Sequence, residues 1–245
     1  MVDIFEVFSH PLLSEVVLEL RFPTRLRIPD YIAEFQDVII EEFPKLNEKY
    51  LTKFTFTSED NPPVQTDKIW EFINPETKTL CKVTKNRFSI ISNEYMSWEK
   101  HKSKKGFRDI LGSALDKFLD TFSINTFDRI GLRYINKVKI EENSTNWLKK
   151  LFIPIYNIEK YPIESLNEYF IRLRVEKQND IQLILQSTTI TEEDIDYYIL
   201  DFDAYLINIE DKYLKEKIDQ LHEVILQEFH SIITDECRKK MRGEK

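Results

Sequence analysis

Residues 129–140 read RIGLRYINKVKI and form the clearest strand pattern in the chain. Ile130 and Leu132 alternate with Arg129 and Arg133, so one side of the stretch is apolar and the other carries charge. A period of two is typical of a strand that buries one face and exposes the other. We therefore expect this strand at the centre of a sheet, with its arginines on the face opposite the core.

Alternating residues predict further strands on both sides of this stretch. One early strand covers residues 15–22, about four antiparallel strands fall between residues 51 and 99, and three strands lie between residues 168 and 206. The chain has only four glycines. This scarcity argues against glycine-rich phosphate loops and flexible linkers.

Three main helices are predicted from apolar residues that recur every three or four positions. They cover residues 30–43, 106–122 and 212–241, and a short helix is expected near residues 143–152. The last main helix is the most amphipathic of them. Its apolar stripe consists of Leu214, Ile218, Leu221, Ile225, Phe229 and Ile232.

These elements predict an α+β fold in which an extended antiparallel sheet is backed by helices on one side. The long C-terminal amphipathic helix is expected to lie across the sheet, and helix-grip and TATA-binding-protein-like arrangements both fit. We treat residues 1–245 as a single unit, with two sub-halves, 1–140 and 165–245, as the alternative. An irregular connection, 141–164, would join them. The similarity of residues 15–22 to residues 168–175 would be the trace of a duplication.

Composition limits the classes of function that are open to the chain. Its 35 basic and 43 acidic residues give a net charge of −8, which disfavours non-specific nucleic-acid binding because phosphate contacts need positive charge. Cys81 and Cys237 lie far apart and show no metal-ligand spacing, so free thiols in a reducing compartment are expected. No secretion signal and no apolar run of about 20 residues is present. We expect a cytoplasmic protein without a membrane span.

Charged residues on the predicted strands form the main candidate ligand site. Arginine side chains suit carboxylate or phosphate groups, and side chains two apart on a strand point the same way. The alternative is that arginines and carboxylates pair across strands, which needs no ligand. The candidate residues are Arg21, Arg129, Arg133, Arg172, Arg174, Asp201 and Asp203.

A second candidate is an anion site at the start of the helix predicted from residue 106. Lys102, Lys104, Lys105 and Arg108 lie where cations and a helix N-terminus would attract an anion. The alternative is an exposed soluble loop. His222 fits a packing and hydrogen-bonding role on the last helix.

No metal site and no cofactor are predicted. Asp201 and Asp203 could together face Mg²⁺, but a structural role at the strand end is favoured. The chain lacks a nucleotide-binding loop, a dinucleotide fingerprint, a zinc cluster and a nucleophile elbow.

A set of motifs spread over essentially the whole chain resembles a sporadically distributed family of bacterial and archaeal proteins of similar length. The matching positions are Pro11, Glu15, residues 20–22 (LRF), residues 129–136 (with GLRYIN), residues 200–203 (LDFD), Leu221, His222, Phe229 and residues 233–236 (ITDE). These motifs imply no particular chemistry. Because members of the family occur in mobile or defence-related neighbourhoods, the resemblance implies a role in conflict with phage or beside a toxic effector.

We therefore predict a non-enzymatic recognition or adaptor protein that acts with protein partners in antiphage defence. The alternative is a nucleotide- or phosphate-binding protein or enzyme that uses the arginine-rich sheet face. Pairing of those arginines with carboxylates would count against the alternative. Apolar residues outside the main stripe of the last helix, Leu226 and Ile233, suggest a homo-oligomer formed through that helix.

Overall fold

The computed structural model describes residues 3–54, 64–95, 97–100, 105–141, 144–166 and 168–244, without the side chains of residues 53, 54, 64 and 65. The strands are β1 (Leu13–Arg21), β2 (Lys45–Phe54), β3 (Val64–Asn74), β4 (Thr79–Thr84), β5 (Arg87–Ser92), β6 (Thr126–Lys139), β7 (Phe170–Glu176), β8 (Gln182–Glu192) and β9 (Ile195–Glu210). The helices are α1 (Ile28–Ile39), α2 (Phe107–Phe122), α3 (Ser144–Leu151), α4 (Leu214–Ile232) and α5 (Asp235–Arg242).

In these ranges, nine antiparallel strands form one sheet in the order β2-β3-β4-β5-β1-β6-β9-β8-β7. The predicted α+β fold is confirmed, and so is the meander of four strands, β2 to β5. The first of these four predicted strands, the alternating residues 53–57, overlaps the end of β2 at residues 53 and 54, and residues 55–57 lie outside the described residues. Strand β6 lies next to β1 and β9, so the stretch that begins at residue 129 is central, as expected.

The core lies on the face of the sheet that the helices cover. Leu18 of β1 stands opposite Leu132 of β6, and both side chains are fully buried. Phe118 of α2 packs on Phe88 of β5 with ring centroids 4.2 Å apart. Burial of each such side chain contributes about 2 kcal/mol, so this layer fixes which residues of every central strand face outward.

Helix α4 packs on β6 and β9 and buries Ile218, Leu221 and Ile225. The prediction of one helix from residue 212 to residue 241 is wrong in its length, because the helix ends at Ile232 and α5 follows. Ile233 is extended and forms a bridge with Phe152, and this pairing interrupts the helix. Thr234 then caps α5 by accepting a hydrogen bond from the Cys237 amide at 3.1 Å. No described helix is long and apolar enough to cross a membrane.

The order of connections repeats along the chain. Strand β1 leads through α1 to a meander and then α2, and β6 leads through α3 to a meander and then α4. The two leading strands lie side by side at the centre of the sheet. The sequence echo noted above instead relates β1 to residues around β7, which is an edge strand. The echo and the repeated connections therefore do not coincide.

Candidate functional site

The face of the sheet opposite the helices, which we call the outer face, carries the charged residues that the sequence pointed to. Arg129 and Arg133 of β6 both reach carboxylates of β9. Arg129 Nη2 lies 2.6 and 2.8 Å from the two carboxylate oxygens of Asp203. Arg133 donates from Nε and Nη2 to Asp201 at 2.9 and 2.5 Å. The Arg133 contact joins two nitrogens to two carboxylate oxygens, and such paired, fork-like bonds are among the strongest that arginine makes.

Strand β1 adds a third carboxylate to this network. Glu19 accepts a hydrogen bond from Arg21 at 2.7 Å and lies within 3.4 Å of Arg129 and 3.1 Å of Arg87. The hydrogen bonds that Arg133 donates to Asp201 raise the pKa of Arg133 above its usual range. Asp201 is buried and also accepts a bond from Gln186 at 2.9 Å. Each of these arginines of the central strands therefore has a carboxylate partner within the sheet.

Gly131 makes the Arg129 contact possible, a role that sequence reasoning did not assign. A Cβ atom placed on Gly131 would lie 2.2 Å from Arg129 Nη1. The guanidinium thus lies across the glycine, reaches Asp203 and sits 4.6 Å from the ring centroid of Tyr205. The only sequence signal was a glycine inside a strand, which often marks such a close approach.

Strand β7 carries the two remaining candidate arginines, and their surroundings differ. Arg172 and Arg174 are both exposed. Arg174 donates to Gln182 at 3.2 Å and lies 5.8 Å from the ring centroid of Tyr205. Among the described residues, Arg172 has no polar partner. Neither arginine is paired with a carboxylate in this part of the structure, in contrast to those of β6.

The same strand also exposes apolar side chains on both of its faces. Phe170, on the outer face, is 57% exposed, and Leu173 and Val175, on the opposite face, are 42% and 40% exposed. Strand β7 is an edge of the sheet, and no described segment pairs with its far side. Sequence reasoning did not find this surface, because nothing in the stretch itself indicates that the strand lies at an edge.

The predicted anion site is only partly described. Lys102 and Lys104 lie outside the described residues, and Lys105 is exposed. Arg108 makes two hydrogen bonds to Asp219 of α4, at 2.8 and 2.6 Å, and lies 3.4 Å from Glu99. The bond to Asp219 raises the pKa of Arg108. Arg108 thus fastens the start of α2 to α4. The described residues contain no group of three or more histidine, cysteine or acidic side chains that could hold a metal ion.

A cavity of about 420 Å³ lies on the helix side of the sheet, between α4, β6 and the N-terminal segment, residues 4–8. Tyr134 of β6 and His222 of α4 meet there, with the Tyr134 hydroxyl 2.7 Å from His222 Nδ1. Trp98 stacks on the His222 ring at a centroid distance of 4.2 Å. Burial lowers the pKa of His222 to about 3, so this imidazole is neutral near pH 7. The sequence assigned His222 a packing role and gave no sign of the cavity.

No protein-family model and no curated protein matches the chain. The resemblance described above therefore stays a prediction. Among solved structures, the chain matches the crystal structure of the di-domain ARO/CYC StfQ from the steffimycin biosynthetic pathway at 9% identity. The match covers 82% of this chain and 86% of that chain, with a TM-score of 0.13, and a likeness this weak carries no argument about fold or function.

Proposed function

We propose that the chain is a non-enzymatic recognition or adaptor protein that binds an extended, acidic segment of a protein partner along β7. The observation that carries this proposal is the exposure of Phe170, Leu173 and Val175 on both faces of an edge strand. Exposed, apolar edge strands recruit further strands, because their outer backbone groups lack partners. Added strands then gain main-chain hydrogen bonds and side-chain contacts together.

The backbone of β7 is oriented for such an addition. The Thr189 amide donates to the Tyr169 carbonyl at 3.4 Å, so residues 169 and 189 form a hydrogen-bonded pair. Hydrogen-bonded and non-bonded pairs alternate along an antiparallel ladder. The amide and carbonyl groups of Arg172 and Arg174 therefore point away from β8, toward the free edge.

Charge indicates what the added strand should carry. Arg172 and Arg174 project from the outer face without carboxylate partners among the described residues, so acidic side chains opposite them would be favourable. Leu173 and Val175 on the other face suit apolar residues. The segment that fits both faces alternates acidic and apolar residues.

A second copy of this chain fits the edge less well. If two β7 strands pair antiparallel with full overlap, Arg172 stands opposite Arg174 of the other copy. Shifting the register by two residues in one direction places Arg172 opposite Arg172; shifting it in the other places Arg174 opposite Arg174, although Arg172 there meets Glu176. Like charges directly opposite each other destabilise strand pairing. A chemically different, acidic partner is therefore favoured over self-association.

The remaining expectations have unequal support. The carboxylate pairing of Arg129 and Arg133 argues against the alternative of a phosphate site on the central strands. The cysteines are buried and free, which supports a reducing, cytoplasmic location. Leu226 and Ile233, which suggested an oligomer through the last helix, pack within the chain. The setting in antiphage defence rests on the family resemblance alone.

The proposal is tested with a fluorescein-labelled peptide in which glutamate alternates with valine. The peptide has about eight residues, which is a usual strand length. We expect its fluorescence anisotropy to rise on titration with the full chain, and at least tenfold weaker binding to the Arg172→Glu/Arg174→Glu variant. Arg25→Glu/Arg27→Glu, which changes the net charge equally at exposed positions on the loop before α1, is the control and should bind like the wild type.

A second pair of variants separates backbone pairing from charge. Arg174→Pro removes an outward amide as well as the charge, whereas Arg174→Gln removes the charge alone. We expect the proline variant to bind more weakly than the glutamine variant. Equal binding of the peptide to the wild type and to the double glutamate variant would overturn the proposal, as would equal binding of a lysine–valine peptide.

A further inference from the structure

We infer that the cavity between α4, β6 and the N-terminal segment is a binding site for a small, uncharged aromatic molecule that carries a hydrogen-bond acceptor. This site is separate from β7, and the inference does not depend on the proposed function. A mostly apolar hollow with a few convergent polar groups is the usual form of a small-molecule site. At about 420 Å³, it has room for a compound of two fused rings.

The walls of the cavity are largely aromatic and aliphatic. They include Phe5, Phe8, Trp98, Leu226 and Phe229. Flat rings fit such walls through offset or edge-on contacts, which add to the stabilisation from burial. Strongly polar molecules would lose hydration here without replacement, so the lining selects apolar rings.

Polar groups at the base of the cavity supply the specificity. His222 is neutral, and its Nδ1 faces the Tyr134 hydroxyl at 2.7 Å. The phenol is the better proton donor of the two and the imidazole nitrogen the better acceptor. We therefore assign the Tyr134 proton to this contact rather than to the 3.4 Å contact with the Tyr95 hydroxyl, and the ring proton of His222 to Nε2. The described residues provide no acceptor for that Nε2–H group. It is the donor that the protein offers to a carbonyl or ether oxygen of the ligand.

Charges around the opening exclude anions. In the described part of the chain, the cavity is lined by the carboxylates of Glu6, Glu99, Glu216, Asp219 and Glu223 and by the cations Lys100 and Arg108. Arg108 is bound to Asp219 and lies near Glu99, and Arg242 is bound to Glu6, whereas Glu216 and Glu223 have no cationic partner among the described residues. A ligand that carries a sulfonate or phosphate would meet a negative rim and an uncharged base. This charge pattern separates the cavity from a nucleotide site.

The N-terminal segment closes one side of the cavity and is fastened from α5. Arg242 donates to both carboxylate oxygens of Glu6, at 2.5 and 2.7 Å. The His10 amide donates to the Met241 carbonyl at 2.8 Å, and the Phe8 ring stacks on His230. Phe5, directly before the first of these attachments, lines the cavity with a ring that is 59% exposed. Release of the Glu6–Arg242 contact would open a route for the ligand.

The test uses the neutral fluorophore 6-propionyl-2-(dimethylamino)naphthalene, whose emission shifts to shorter wavelength in apolar surroundings. We expect saturable, one-to-one binding to the full chain with a blue shift relative to water. Leu226→Trp, which places a larger ring in the cavity, should weaken binding at least tenfold. Gln227→Trp adds the same ring to the exposed side of α4 and should leave binding unchanged.

Two further measurements test the chemistry of the site. Replacing His222 by phenylalanine keeps a ring against Trp98 but removes the Nε2–H donor, so bound emission should shift further to the blue and affinity should fall. The anionic fluorophore 1-anilinonaphthalene-8-sulfonate should bind at least tenfold more weakly than the neutral one. The inference is overturned if Leu226→Trp and Gln227→Trp bind the neutral fluorophore equally, or if the wild type shows no saturable binding.

Discussion

Strands β6 and β7 both carry two arginines on the outer face of the same sheet, yet only those of β6 are neutralised. Arg129 and Arg133 reach Asp203 and Asp201 on β9, whereas Arg172 and Arg174 find no carboxylate among the described residues. The difference lies in the neighbours. Strand β6 lies between β1 and β9, whereas β7 has only β8 beside it in the described sheet.

The residues opposite each strand decide whether its arginines meet a carboxylate. Asp203 stands directly opposite Arg133, and Glu19 of β1 lies opposite Gly131. Opposite Arg172 and Arg174, β8 presents Gln186 and Ile184. Identical side chains are therefore structural at the centre of the sheet and available for a partner at its edge. Three measurements bear on this difference.

The largest expected effect concerns the inner face of β6, where Tyr134 meets His222. The pKa of His222 is lowered to about 3 by burial, so the unfolded chain binds a proton at this residue between pH 6.5 and 3 and the folded chain does not. Stability should therefore be intact above pH 6.5 and fall by about 1.4 kcal/mol per pH unit below it, from this group alone. Urea unfolding from pH 7 to pH 4.5 measures the slope.

His222→Phe should reduce that slope by about 1.4 kcal/mol per pH unit, because the variant no longer takes up a proton at this residue on unfolding. His230, whose pKa burial also lowers, still contributes in the variant. Gln227→Phe, at an exposed position on the same helix that carries no titratable group, serves as the control and should keep the wild-type slope. Equal slopes for His222→Phe and the wild type would show that His222 is protonated as readily in the folded chain as in the unfolded chain, which would contradict this prediction.

The next effect concerns the outer face of β6. Asp201→Ala removes a buried carboxylate and leaves Arg133 and Gln186 without their acceptor. Because the Arg133 side chain is 44% exposed, water partly replaces the lost bonds, and we expect a loss of about 2 kcal/mol in the free energy of unfolding. Asp196→Ala, an exposed position on the same strand, should cost less than about 0.5 kcal/mol. A loss that small for Asp201→Ala would remove the distinction between centre and edge.

The smallest effect is expected at the edge strand. Replacing Arg172 and Arg174 together by alanine should change the free energy of unfolding by less than about 0.5 kcal/mol, because neither side chain holds a carboxylate in the described structure. The same urea titration checks this value. A loss comparable to that of Asp201→Ala would mean that the arginines of β7 stabilise the fold as much as the central ion pair does. They would then not be free to bind a partner.

Local patterns were sufficient to predict much of the fold. The alternation in residues 129–140 identified a central strand and the outward side of Arg129 and Arg133, and the apolar stripe of α4 identified the helix that crosses the sheet. Pattern reasoning missed the break at Ile233, because that break arises from pairing with Phe152, far away in sequence. It also missed the cavity, whose walls come from segments that meet only after folding.

The sequence by itself determined which face of each strand is apolar, because that period belongs to neighbouring residues on one chain segment. It also determined that the arginines of β6 and β7 share the outer face once the strands join one sheet. Only the tertiary structure decided which of these arginines meets a carboxylate. Strand order and register are set by contacts between distant segments. Among the described strands, they made β6 a centre with two neighbours and β7 an edge with one.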